Sequence, residues 1–229
     1  QKIAEEVCSD TSNLPYTSTY TNAYGEKETE QLQVGMTIVD PYTGYVVAMV
    51  GGAGVKEGAR VWNWATSARQ CGSAIKPISV YAPALDDGTI NGASVIDDYP
   101  MLLNGEVWPR NANWRYQGLT ALHTAIAQSL NTCAVRTNLA YGVSNSYDFL
   151  VDKLGFENLT YTDSQQVGNM ALGGFEKGVT TEEMAAAYAA FVNEGVYTKP
   201  RTFVRVEDAN GNVILENEAQ STVAMKNTT

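Results

Sequence analysis

The 229-residue sequence predicts a mixed fold, α/β in the broad sense and α+β in its segregation, in which antiparallel hairpins pack with amphipathic helices. Three stretches carry that expectation. Residues 34–40 and 45–50 are β-rich runs joined by Pro41, Tyr42, Thr43 and Gly44; proline presets φ and glycine is free to take φ > 0, so the pair reads as a hairpin. Thr180, followed three positions later by Glu183, is a capping box opening a helix that runs through Asn193 and stops at Gly195. Residues 202–207 and 213–215 flank the turn dipeptide Asn210-Gly211 and form a second hairpin.

Composition narrows the function classes. A hydrophobic content of 44% with 20 glycines describes a chain able to build a core. The formal net charge of −10 argues against nucleic acid, which selects basic patches. Cys8, Cys71 and Cys133 show no C-x-x-C spacing, and His123 is the one histidine, so neither a metal site nor a cofactor is expected. No apolar run is long enough to span a bilayer and no signal peptide opens the chain, so any anchor is expected outside these residues.

In chain order, residues 1–7 read as the end of a helix, and the polar residues 8–33 as a loop or irregular surface segment. The run at 45–50 is apolar at nearly every position, which predicts a strand buried on both faces. Gly51, Gly52 and Gly54 end it, without the G-K-[ST] or G-x-G-x-x-G order of a phosphate cradle. A loop containing Trp62, Trp64 and Arg69 leads to a helix from Ser73 to about Leu85, with Pro77 tolerated in its first turn, a kink at Pro83 and Gly88 as its stop. Residues 89–119 read as a loop-rich excursion. Helices are expected at 120–128, capped by Thr120; at 132–141, closed by Gly142; and near 146–154. In the helix opened by Thr180, the core-packing face is Met184, Ala187, Tyr188, Phe191 and Val192. Residues 216–229 read as a lead into further chain.

Two short motifs point to chemistry. Ser73 and Lys76 lie three positions apart at a helix start, where they share a face. A serine hydroxyl is a weak nucleophile until a base removes its proton, and a desolvated lysine is such a base. The backbone N–H groups of a helix start suit a developing oxyanion. Downstream, Ser129 and Asn131 fall in a tight turn between helices; there both polar side chains can point one way while Leu130 anchors inward.

Ser73-x-x-Lys76 followed by Ser129-x-Asn131 resembles the penicillin-binding transpeptidase family, whose active site uses S-x-x-K, S-x-N and K-[ST]-G. The likeness extends to the 39–52 hairpin, the Gly72–Pro77 turn, residues 125–131 and residues 178–188, and the double glycine leans towards the class A, bifunctional type. The resemblance implies a penicillin-binding/serine β-lactamase-like fold, an antiparallel sheet packed with helices beside an all-helical subdomain. Residues 34–229 would be the N-terminal portion of the transpeptidase domain and residues 1–33 a linker. It implies Ser73 as acylated nucleophile with its backbone N–H in the oxyanion hole, Lys76 as base or proton relay, Ser129 as proton shuttle and Asn131 as binder of the substrate amide. Peptidoglycan stem peptides and β-lactams would be the partners, on the extracytoplasmic face of a bacterial cell membrane.

No K-[ST]-G occurs in these residues. On the resemblance, a chain segment carrying that strand is a further partner, part of the sheet lies outside this sequence, and these residues alone turn over inefficiently. The alternatives are a non-catalytic β-lactam sensor or peptidoglycan-binding domain, a D,D-carboxypeptidase, or a serine β-lactamase, the last disfavoured because no E-x-x-L-N stretch supplies a deacylating carboxylate. Cys71 reads as a buried small hydrophobe and His123 as a packing residue. Trp114 and Tyr116 read equally well as cleft wall or core.

Overall fold

A computed structural model describes residues 1–14, 17–56, 58, 60–103 and 105–229. The chain opens with α1 (Lys2–Ser9). The stretch expected to be irregular holds a hairpin, β1 (Thr17–Thr21) and β2 (Lys27–Gln31). Every residue of β1 is exposed, so no apolar alternation marked it. Polar cross-strand pairs, Thr19 with Thr29 and the Tyr20 hydroxyl donating to Glu28 at 2.7 Å, carry the ladder instead.

The first expected hairpin is present as β3 (Met36–Val39) and β4 (Val46–Val50), with the amides of Tyr42 and Thr43 donating to the Asp40 carboxylate in its turn. Burial of β4 on both faces is not found. Ala48 and Val50 pack with Ala4 and Cys8 of α1, whereas Val47 is 53% exposed, because α1 covers only one face of the strand.

The single helix expected from Ser73 to Leu85 is three pieces: a 3₁₀ turn (Gly72–Ile75), a π turn (Pro77–Tyr81) and α2 (Ala82–Asp86). Proline has no N–H to give, so a uniform i→i−4 ladder cannot pass through Pro77 and Pro83. The Ala82 N–H reaches back to the Pro77 carbonyl, and the irregularity expected at Pro83 takes the form of this π turn.

Residues 89–119 are loop-rich, as expected, with short strands set among the loops. They contribute β5 (Val95–Asp98), β6 (Leu102–Leu103), β7 (Glu106–Val107) and the start of β8 (Gly118–Ala121). Thr120 therefore does not cap a helix; it pairs with Ile96 in the β5–β8 ladder, and Ala121 precedes α3 (Leu122–Ala127). Ladder pairing between distant segments overrode the local capping signal.

A helical layer follows: α4 (Asn131–Tyr141), ended by Gly142 at φ 111°, α5 (Val143–Asp148), a π turn (Phe149–Lys153), α6 (Tyr161–Gln165) and α7 (Val167–Leu172). α8 (Thr181–Val192) carries the expected capping box, the Glu183 amide donating to Thr180 Oγ1 and the Thr180 amide to Glu183 Oε2. Its buried face agrees with the expected one at Ala187, and Met184 packs against the same core, but the rest differs. Ala186, Ala187 and Ala190 are buried, while Tyr188, Phe191 and Val192 are 37%, 40% and 62% exposed. Alanines let the helix axis approach the core where larger side chains would hold it off.

β9 (Val196–Thr198), β10 (Arg205–Glu207), β11 (Val213–Glu216) and β12 (Ser221–Val223) complete the strands, with β10–β11 as the expected second hairpin. Residues 221–229 are integrated into the fold. β12 pairs with β9, Ala224 and Met225 are buried, and the Lys226 amide donates to Asp86 at 2.6 Å. Two apolar clusters flank the segment from Gly72 to Asp86. One takes Ile75 and Ile78 with Phe149, Met170 and Phe175; the other takes Val80 and Tyr81 with Leu122, Leu130 and Cys133.

Candidate active site

The segment bearing Ser73 and Lys76 is pinned from several sides. Ile75 and Ile78 are fully buried, and the Tyr188 hydroxyl of α8 donates to the Ala74 carbonyl at 2.7 Å. Gly173 closes α7 at φ 74°, and a Cβ there would lie 2.2 Å from the Gly72 carbonyl oxygen. Only glycine permits that approach of one turn to another. A reciprocal backbone pair between Arg69 and Val179, at 2.9 and 2.8 Å, ties down the approach to Ser73.

Within the 3₁₀ turn the Lys76 N–H donates to the Ser73 carbonyl. Residues i and i+3 eclipse in 3₁₀ geometry, so Ser73 and Lys76 stand on one edge more directly than an α-helix would place them. Ser73 is exposed and Lys76 is buried, 2% exposed. The Ser73 N–H falls in the first turn, where no intrahelical acceptor exists.

Lys76 Nζ donates to Ser129 Oγ at 3.0 Å, the Ser129 carbonyl at 2.7 Å and Asn131 Oδ1 at 2.6 Å. The structure thus gathers Lys76, Ser129 and Asn131 into one hydrogen-bonded group, with Ser73 on the turn that carries Lys76. Three acceptors match the three donors of an ammonium, and the Ser73 hydroxyl is not among them. Burial nevertheless disfavours the charge and lowers the Lys76 pKa from 10.5 to about 8.

Ser129 reaches this position through a left-handed backbone, φ 51°, which lets a tight turn join α3 to α4 while Leu130, 2% exposed, drops into the core. Sequence reasoning missed what holds that turn. Asn131 Nδ2 donates to the Arg110 carbonyl at 2.7 Å, and the Asn131 amide donates to Asn111 Oδ1 at 2.8 Å. Asn111 in turn donates to the fully buried Asp98 at 2.7 Å. These partners lie in a stretch that reads locally as loop, and no short-range pattern marks them.

The remaining candidates take no part in the hydrogen bonds of Lys76. His123 is exposed on α3. Cys71 is half-buried, and burial pushes its thiol up to about 11, so a neutral packing residue fits and a reactive thiolate does not. Trp114 is 69% exposed with the Arg110 guanidinium 4.7 Å from its ring, which makes it surface and not core.

Comparison with known proteins gives a consistent result. Residues 34–229 match the family model for the penicillin binding protein transpeptidase domain. Penicillin-binding protein 1A of Clostridium perfringens strain 13 is 34% identical over 94% of this chain and 33% of its own length. Penicillin-binding protein 1A of Streptococcus oralis is 34% identical over 91% and 33%. The chain therefore spans about a third of these relatives. Among solved structures, penicillin-binding protein 1A from Haemophilus influenzae superposes with a TM-score of 0.67 at 27% identity, covering 89% of this chain and 30% of that one. PonA1 from Mycobacterium tuberculosis superposes at 0.68 with 21% identity, covering 85% and 54%.

Proposed function

This chain belongs to the penicillin-binding protein transpeptidase family, and from that premise we propose that it carries the nucleophilic half of a D,D-transpeptidase site that cross-links peptidoglycan stem peptides through an acyl-serine. The observation that carries the reading is the grip of Lys76 Nζ on both Ser129 and Asn131, from the same 3₁₀ turn that presents Ser73.

Ser73 Oγ attacks the carbonyl of the D-Ala-D-Ala bond, and its proton passes to neutral Lys76. Losing a proton leaves Lys76 two N–H donors for three acceptors, so one contact is released and a lone pair becomes available one turn from Ser73. The oxyanion forms at the Ser73 N–H. Ser129, bonded to Lys76, hands the proton to the departing D-Ala amine, and Asn131 binds the substrate amide. A neighbouring stem-peptide amine then attacks the acyl-serine and restores the hydroxyl. A segment bearing K-[ST]-G, a triplet these residues do not contain, supplies the remaining wall. The reading places the domain on the extracytoplasmic face of a bacterial membrane; among the described residues no helix is long and apolar enough to cross one.

A solved M. tuberculosis PonA1 structure is of that protein with penicillin V, and a labelled penicillin is the probe for this chain. Prolonged incubation is expected to give a penicilloyl adduct on Ser73, found by peptide mass spectrometry, absent in Ser73→Ala and slowed about 10²–10⁴-fold in Lys76→Ala. No adduct after a day, or an adduct on another residue, refutes the assignment. Acylation complete within seconds refutes the need for the third motif.

A further inference from the structure

The first turn of α4 exposes backbone N–H groups that need acceptors, and Leu130 at its N-cap position has no side-chain oxygen to offer. The acceptor comes from a distant loop. Asn111 Oδ1 takes the amides of Asn131 at 2.8 Å and Thr132 at 3.4 Å. Asn111 is 3% exposed, and its Nδ2 donates to Asp98 Oδ1 at 2.7 Å and to the Arg115 carbonyl at 2.9 Å. Asp98, with no exposed surface at the end of β5, also accepts from Thr132 Oγ1 and from the Gln117 amide at 2.9 Å. A carboxylate this deeply buried is tolerable only when its lone pairs are met, and donors from the 111–117 loop and from the first turn of α4 meet them.

Each link in this chain has one permitted direction. A carboxylate only accepts, so Asn111 must turn its Nδ2 to Asp98 and its oxygen to α4. The Arg110 carbonyl only accepts, so Asn131 must turn its Nδ2 outward and its Oδ1 to Lys76. The loop that holds the backbone of Asn131 through Asn111 thus also fixes its amide through Arg110. The end of Asn131 left over meets the ammonium.

We propose that Asp98 and Asn111 are positioning residues for acyl transfer: they cap α4 from a distance and orient the Asn131 amide, which locates Lys76 Nζ relative to Ser73. Neither touches substrate. The proposal rests on the acyl-serine reading above, and its test is built so that the two can fail separately.

The experiment compares the full 229-residue chain with Asp98→Asn, Asn111→Asp and Thr132→Val, the last of which removes one donor to Asp98 while keeping the side-chain shape. The readouts are Lys76 titration by lysine-selective NMR, hydrogen exchange at the Asn131 amide, and the rate of Ser73 acylation by labelled penicillin. Small misplacements of reacting groups cost about 10²-fold, so Asp98→Asn is expected to slow acylation by that order and Thr132→Val by about 10-fold. Both should shift the Lys76 titration and speed exchange at Asn131. A folded Thr132→Val or Asp98→Asn protein with unchanged Lys76 titration and unchanged Asn131 exchange overturns the proposal. If the parent chain forms no Ser73 adduct, the acyl-serine reading fails, while titration and exchange still decide whether Asp98 and Asn111 position Lys76.

Discussion

On the proposed reading, Lys76 is the base of the acylation step. Its pKa is lowered from 10.5 to about 8 by burial. A base acts in its neutral form, so the acylation rate is expected to rise with pH along a limb centred near 8, measured with labelled penicillin across pH 6 to 10. A flat profile over that range removes Lys76 from the base role. The same shift bears on stability, with the opposite sense to a salt-bridged lysine. The folded form releases the proton first, so between about pH 8 and 10.5 the unfolded chain holds more protons. Stability therefore rises with pH across that window, and the cost of burying the charge is fully present below it. Lys76→Met, which has no charge to bury, should flatten that rise in urea-unfolding midpoints. Ser73 and Lys76 were legible as a pair because their spacing is local. That Lys76 turns to Ser129 and Asn131 depends on a contact between residues far apart in sequence.

Among the elements, α8 shows what local pattern can and cannot say. The Thr180–Glu183 capping box was readable because its partners are three residues apart, and the structure has both of its hydrogen bonds. Thr180→Ala is expected to cost about 1 kcal/mol. In a chain of this length that lowers the thermal midpoint by about 2–4 °C. An unchanged midpoint by calorimetry contradicts the cap. The buried face of the same helix was read correctly at Met184 and Ala187 but not elsewhere, because apolarity alone favoured Tyr188 and Phe191 over Ala186 and Ala190. How closely a helix approaches its neighbours is a property of the neighbours. The broken helix after Ser73 repeats the lesson. Pro83 announced a kink, but the 3₁₀ turn that eclipses Ser73 with Lys76 lies ahead of it, where Gly173 and Tyr188 pack against the segment.

At the scale of the molecule, one apolar cluster joins Ile75 of the Ser73 segment to Phe175, Ala187 and Met225, so residues near the end of the chain support the site from the far side of the core. Deleting residues 221–229 removes β12, Ala224 and Met225 together. Burying a methionine contributes about 1.5–3 kcal/mol, so the loss should exceed about 2 kcal/mol and lower the urea midpoint clearly. A truncated chain with an unchanged midpoint shows that this stretch is not part of the cooperative unit. The amino-acid sequence by itself determined the two hairpins, the capped helix and the two catalytic-type motifs, because each depends on turn chemistry or on spacings of a few residues. The tertiary structure alone decided that β5 and β8 pair, that Gly173 seats the Ser73 turn, and that Asp98 and Asn111 hold the Ser129–Asn131 turn. Those outcomes rest on matching a buried donor or a close approach with a partner many residues away, and only the folded chain brings the two together.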